Sequence, residues 1–334
     1  MSGDYLWDGN GPRDPEVVRL ERMLEPLRPG ALPPLAEPVA PVTRRNRIAA
    51  VIGVVGIAAS LVLAAVVWSD RTPAPSLAVT RVSGAPLIES RAMTDQGTLK
   101  VGRRLETNAD ARASIDIAGV GRVDVDPGTR LSLVNTRPGD YRLRLETGTL
   151  HALIWAPPGQ FFIETPSSTA VDLGCAYTLT VDKNGEGLVR VTTGWVGFEW
   201  HGRESFIPAG AVCTTRRDRG PGTPHYDDVS EAVKAAIRTI DEGSDEAGAV
   251  PAALSVVLAE ARPADVVTLW HLLSRVDGAE RDRVFDRLAA IVPPPTGVTR
   301  EGIRSGRRDM LDLWWDSLGL GTASWWRTWK QPWK

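Results

Sequence analysis

The sequence predicts a composite chain: a short cytoplasmic helix, one transmembrane helix, an all-β exported domain of roll or sandwich type, and a C-terminal all-α domain. Three observations carry this expectation. An uncharged apolar run fills residues 48–68. Period-two alternation broken by Gly, Pro, Asn and Asp occupies 77–217. From about Tyr226 the apolar residues recur at steps of three and four. At 334 residues the chain is long enough for about two domains. With 43% hydrophobic and 24% charged residues it is globular rather than disordered.

The first element is expected over 15–28, inside a cytoplasmic segment 1–43. Asp14-Pro15-Glu16 supplies a capping carboxylate, a first-turn proline and an acidic first turn. Val17, Leu20, Leu24 and Leu27 then form one apolar stripe, and Pro29-Gly30 ends it. A helix of about 14 residues is marginal alone in water. Its stripe, with Trp7 nearby, is therefore expected to dock into a partner groove or to rest on a membrane surface.

The run 48–68 holds no charged residue and is interrupted only by Gly53, Gly56 and Ser60. About 20 such residues span a hydrocarbon core. Arg44, Arg45 and Arg47 precede it, and positive flanks stay on the cytoplasmic side. The expected topology is therefore single-pass in a bacterial inner membrane, N-terminus cytoplasmic and C-terminal domains periplasmic, with 44–68 as basic flank and span. Residues 69–76, SDRTPAPS, read as a short stiff linker.

Strands are expected at 111–117, 122–126, 130–134, 141–146, 161–165, 177–182 and 188–192, within a β domain over 77–218. In Tyr141-Arg142-Leu143-Arg144-Leu145 the leucines share one face and the arginines the other. Asp182-Lys183-Asn184-Gly185 reads as a hairpin turn. An echo, Leu145-Glu146-Thr147-Gly148-Thr149-Leu150 and Val191-Thr192-Thr193-Gly194-Trp195-Val196, suggests two similar hairpins packed together. Cys175 and Cys213 fit either a disulfide in an oxidising periplasm or two buried free thiols.

The helical domain is expected over 225–334. Val229, Val233, Ile237 and Ile240 mark its first helix, and Met310, Leu313, Trp314 and Leu318 its last, with Gly319 as C-cap. Tryptophan is abundant, 12 residues against 5 Phe and 4 Tyr, and it concentrates at the end of the chain. Trp325, Trp326, Trp329 and Trp333 lie among Arg327, Lys330 and Lys334 without an acid. This tail suits a membrane interface or an envelope partner, or else a cover for the helical domain.

Chemistry is sparse. Lys and Arg number 39 against 41 Asp and Glu, which argues against a nucleic-acid partner. Four scattered His and two Cys supply no metal-ligand spacing, and no nucleophile, Walker or dinucleotide motif occurs. No enzymatic activity, metal or cofactor is expected.

One series of segments is more specific: Gly102-Arg103-Arg104-Leu105-Glu106-Thr107, Ala113-Ser114-Ile115-Asp116-Ile117, Val125-Asp126-Pro127-Gly128-Thr129-Arg130-Leu131, Leu145 to Leu150, Thr165-Pro166, Asp172-Leu173-Gly174-Cys175-Ala176-Tyr177, and Val191 to Val196. In this order they resemble the FecR family over about residues 77–215. The resemblance implies a single-pass inner-membrane regulator with a cytoplasmic anti-sigma segment, a periplasmic sensing domain and an extracytoplasmic-function sigma factor as partner. The other expectation is a cell-envelope binding or scaffold protein, anchored in the inner membrane, whose β and α domains are the working parts.

Overall fold

The computed structural model describes residues 15–24, 75–243, 246 and 248–321. The chain divides into two units, Met1–Thr72 and Pro73–Lys334. In the first unit the described part is helix α1, Pro15–Leu24. It starts at the proline that suits a first helical turn, and residues 25–28 of the expected helix lie outside the described residues. The expected fold class needs a correction. No helix among the described residues is long and apolar enough to cross a membrane, so the described fold holds no transmembrane helix. The run 48–68 that generated this expectation lies outside the described residues.

The second unit begins with β1 Ser76–Ser83, β2 Leu87–Ile88, β3 Arg91–Ala92, β4 Gln96–Lys100, β5 Arg104–Glu106 and β6 Arg112–Asp116. It continues with β7 Gly121–Val125, β8 Arg130–Arg137, β9 Asp140–Ile154, β10 Phe161–Glu164, β11 Thr169–Asp172 and β12 Ala176–Val181. The last strands are β13 Gly187–Thr193, β14 Trp195–Trp200, β15 Arg203–Pro208, β16 Ala211–Arg216, β17 Gly220–Pro221 and β18 His225–Tyr226. Helices follow: α2 Glu231–Glu242, α3 Ala249–Glu260, α4 Val266–Leu272, α5 Gly278–Ile291, α6 Arg300–Arg304 and α7 Arg308–Ser317.

Two sheets form. The first pairs β4, β1, β6, β7, β9, β12, β13 and β16 in that spatial order, with β17 and β18 against β16. The second runs β3, β2, β5, β8, β9, β10, β11, β14, β15. Strand β9 belongs to both. Its residues up to Thr147 pair with β8 and β10, while Gly148 to Ile154 pair with β12 and β7.

The Thr-Gly echo marks these changes of sheet. Gly148 has φ +102° where β9 leaves the second sheet for the first, and Gly194 has φ +72° where the chain passes from β13 to β14. At both points the backbone is crowded as well as left-handed. A Cβ on Gly148 would lie 2.4 Å from the Thr129 Cα, and one on Gly194 would lie 2.2 Å from the Gly174 carbonyl oxygen. The two copies are therefore crossings, not the packed hairpins that the repetition suggested. The expected turn at Asp182 to Gly185 does form. The Asp182 carboxylate accepts from the Asn184 and Glu186 amides, and Gly185 has φ +82°.

Alternation along the strands builds the core between the sheets. Leu143 and Leu145 are buried there with Leu131, Leu133, Ile115, Val123, Leu179 and Val189. Arg144 points away to a Glu164 ion pair, and Arg142 lies over the Phe162 ring at 4.5 Å. Part of the second sheet is buried on both faces. Phe161, Ile163, Ala170 and Ile207 face the inter-sheet core, while Phe162, Val171 and Phe206 join the helical core with Leu254, Leu269, Trp314 and Trp315. Consecutive apolar residues in a strand have this meaning.

The helices thus cover the outer face of β10, β11 and β15. Ser230 caps α2 by accepting from the Val233 amide at 3.1 Å, and Gly319, φ +72°, follows the end of α7. Several hydrogen bonds fasten the layers, and one of them fixes the state of a buried histidine. The Phe206 amide donates to His271 Nε2 at 3.0 Å, and His271 Nδ1 donates to the Val267 carbonyl at 2.7 Å. A backbone amide only donates and a carbonyl only accepts, so the imidazole is neutral with its proton on Nδ1. Burial, and then the nearby Arg275, push its pKa down to about 3.

Gly148→Ala is expected to cost at least about 2 kcal/mol, because strain and a backbone clash coincide. Gly139→Ala, also at positive φ but with open space around it, should cost only about 1 kcal/mol. Urea unfolding of both variants measures the difference. Equal midpoints would contradict the crossing geometry.

His271 makes stability depend on pH. Above about 6.5 its contribution is fully present; as pH falls towards 3 the unfolded chain takes up the proton first and the contribution is lost, on the order of 5 kcal/mol at the limit. Asp172, raised to about 7 chiefly by burial, works in the opposite direction below pH 7. The informative quantity is therefore the difference between the wild type and His271→Asn. The variant should lose about 2–3 kcal/mol at pH 7 through its unsatisfied buried amide, and the gap should narrow towards pH 4. A gap that stays constant with pH means that folding leaves the His271 pKa unchanged, which contradicts the buried neutral imidazole.

Candidate functional site

The hairpin joining β14 to β15 turns through His201 and Gly202, with φ +46° and +81°. Positive φ at both central residues gives the tight turn whose twist suits a two-residue loop. His201 accepts this conformation at some strain. Its ring packs edge-on against Trp200, with centroids 4.5 Å apart. Across from the hairpin stand Trp270 on α4, Ser274 and Arg275 just beyond it, and Arg308, Leu311 and Asp312 on α7. Between them lies a cleft of about 420 Å³ at the seam of sheet and helices. Clefts between packed layers are common ligand sites.

The aromatic wall is rigid. The Trp270 indole donates to the Leu311 carbonyl at 2.8 Å, and its ring meets the fully buried Trp315 at 4.7 Å. Trp315 also meets Phe206 at 5.9 Å and Trp195 at 5.8 Å. Edge-to-face rings at these distances add to what burial alone contributes.

The other wall carries charges of both signs. Arg203 Nε donates to the Pro221 carbonyl at 2.7 Å, and its Nη2 reaches the Asp241 carboxylate at 3.4 Å. Arg275 Nη2 donates to the Glu204 carbonyl and to Ser205 Oγ, both at 2.8 Å. Both oxygens of Asp241 already accept from Thr223, from its amide at 2.7 Å and its hydroxyl at 2.8 Å. Burial pulls the Arg275 pKa down to about 10, and repulsion from Arg203 adds to it. Burial also lowers Arg203 and raises Asp241. At the mouth, Arg308 pairs with Glu204.

Cys213 adjoins this charged group and Cys175 lies elsewhere, and the structure decides between the two readings of them. Both are buried free thiols, the second of the two readings, and the Cys175–Cys213 disulfide is not formed. Cys175 Sγ donates to Asp172 at 2.8 Å, whereas Cys213 Sγ lies against the Gly222 carbonyl at 3.4 Å in β16. Strand β13 separates β12 from β16, so the thiols have different neighbours. Burial raises the Cys213 pKa to about 12 and that of Cys175 higher still, so neither is a thiolate.

Val17, Leu20 and Leu24 fall within α1. Trp7 and Leu27 lie outside the described residues, as do Trp325, Trp326, Trp329 and Trp333. Sequence reasoning did not find Arg203, Arg275 and Arg308. They come from separate elements and form no local motif; His201-Gly202 before Arg203 was the one available signal of a sharp turn. Among the described residues, no group of three or more His, Cys, Asp or Glu is placed to hold a metal ion.

No family model matches the chain, so the resemblance to the FecR family is not supported by one. No curated protein matches it by sequence. Two crystal structures of a candidate anti-sigma factor from Parabacteroides distasonis ATCC 8503, at 1.65 and 2.50 Å resolution, are weakly similar. Their TM-scores are 0.32 and 0.33 at 14% and 13% identity. The matched part covers 40% of this chain and 63% and 62% of those chains, less than two thirds of their length. A likeness of this size establishes neither family nor function.

Proposed function

We propose that the chain is a signal-transduction regulator of the anti-sigma type, which holds a sigma factor through its N-terminal segment and receives a signal on its β and helical parts. The observation that carries this reading is the division of the chain into a unit containing α1 and a second, compact unit. Val17, Leu20 and Leu24 recur along α1 at helical spacing, and a helix of this length needs a surface to bury apolar positions. An extracytoplasmic-function sigma factor is the partner implied by the sequence resemblance to FecR-type regulators.

The full chain, co-expressed with the extracytoplasmic-function sigma factors of its own genome, is expected to co-purify with one of them. Combining Leu20→Asp with Leu24→Asp should reduce that recovery about tenfold or more, with no change in the unfolding midpoint of the compact unit. Recovery of no sigma factor, or equal recovery with the double variant, overturns the reading. A binding or scaffold role for the β and helical parts is then the better account.

A further inference from the structure

We infer that the cavity between α2, α3 and α4 is a binding site for an alkylammonium group. The ammonium would lie against Glu260 and His225, and the alkyl chain among Val233, Val257 and Leu269. The inference concerns the compact unit alone and does not rest on what α1 binds.

Shape carries the first half of the argument. The cavity measures about 190 Å³ and lies where the start of α2 and the end of α3 meet the start of α4. Val229, Val233, Val257, Ala261 and Leu269 form its apolar wall, and all but Val229 are buried. Apolar cavities of on the order of 150 Å³ hold a six-carbon ligand, so there is room for a short alkyl chain. Among the described residues the wall holds no Phe, Tyr or Trp. It therefore lacks the ring cage that favours a quaternary ammonium, and suits a primary one.

Hydrogen bonding and charge carry the second half. The side-chain donors around the cavity are spent within the protein. Arg262 donates to Asp265 from Nε and Nη2, both at 2.9 Å, and to Asp228 from Nη1 and Nη2 at 2.9 and 2.8 Å. Thr268 Oγ1 donates to the Pro224 carbonyl at 2.8 Å, and Ser230 Oγ to Glu260 Oε2 at 2.6 Å. The positive end of α2 is met by the Ser230 cap and by Glu231 in its first turn. Acceptors remain. His225 Nδ1 donates to the Tyr226 carbonyl at 2.9 Å, which leaves Nε2 as an acceptor with no donor among the described residues. Glu260 Oε1 likewise receives nothing there, and no cation among the described residues lies within ion-pair reach of Glu260. Three carboxylates, Asp228, Glu260 and Asp265, border the cavity with one guanidinium, Arg262. Nearby, Lys234 is answered by Glu231, and Arg287 donates to the Ala261 carbonyl; carboxylate stays in excess with both counted. A primary ammonium brings one positive charge and three donors, and needs no donor in return.

The probe is 4,4,4-trifluorobutylammonium, followed by fluorine NMR on the full chain near neutral pH, with 4,4,4-trifluorobutanol and 4,4,4-trifluorobutyrate as neutral and anionic counterparts. The expected result is saturable ammonium binding at least about tenfold tighter than that of either counterpart. Glu260→Gln keeps an acceptor for Ser230, so it should weaken ammonium binding about tenfold with the melting midpoint unchanged. Ala261→Leu places extra volume at the wall and should abolish binding while the chain stays folded. Displacement of the probe by Nα-acetyl-lysine methylamide assigns the ammonium to a lysyl side chain of a peptide, and lack of displacement assigns it to a free amine. Absence of ammonium binding, equal binding of all three probes, or undiminished binding in Glu260→Gln overturns the inference.

Discussion

Strands β10, β11 and β15 carry apolar side chains on both faces, and most of the second unit follows from that. Phe161, Ile163, Ala170 and Ile207 are buried against the first sheet, so Phe162, Val171 and Phe206 must find cover on the other side. Leaving those three in water would forfeit roughly 1.5–3 kcal/mol each. The helices provide the cover, with Trp315 at the centre of an edge-to-face cluster that joins Trp195, Phe206 and Trp270. The sheet and the helical layer therefore share one core, and neither would keep its buried surface if the other were removed.

The same sheet needs its margin closed. Among the described strands β15 is paired with β14, and a strand margin in an open sheet invites association with another strand. The Phe206 amide at that margin is taken by His271 from α4, a neutral acceptor placed where a protonated imidazole could not serve. A histidine thus does a structural task here: burial, not catalysis, explains its depressed pKa. Asp172 is similar, a carboxyl raised by burial and held by the Cys175 thiol and the Gly174 amide.

Arg203, Arg275 and Asp241 are of a different kind. Their hydrogen bonds tie the hairpin to the helices, and with Glu204, Arg308 and Asp312 they set charges of both signs along one cleft. Strain is stored at the same place, in the left-handed His201 at the hairpin tip. Coincidence of buried charges, a strained turn and a rigid aromatic wall separates this cleft from the other surfaces of the unit, where Arg–Asp and Arg–Glu pairs are mostly exposed and individually weak.

Local pattern in the sequence was enough to determine the strands that alternate, such as Leu143 and Leu145 against Arg142 and Arg144, the turn at Asp182 to Gly185, the start of α1 at Pro15, and the change from strands to helices after Tyr226. Each depends on neighbours within a few residues, where periodicity and backbone preference act directly. The sequence also showed that Thr-Gly occurs twice in equivalent contexts, but not that each copy carries the chain from one sheet to the other. That depends on Thr129 and on Gly174, distant segments that crowd Gly148 and Gly194. The cysteines were compatible with two states, and only the placement of Asp172 beside one and Gly222 beside the other decided for free thiols. Arg203, Arg275 and His271 looked like ordinary residues of a strand and a helix. Periodicity tells which positions are buried, whereas what they are buried against is set by how the layers pack, and the cleft exists only in that packing.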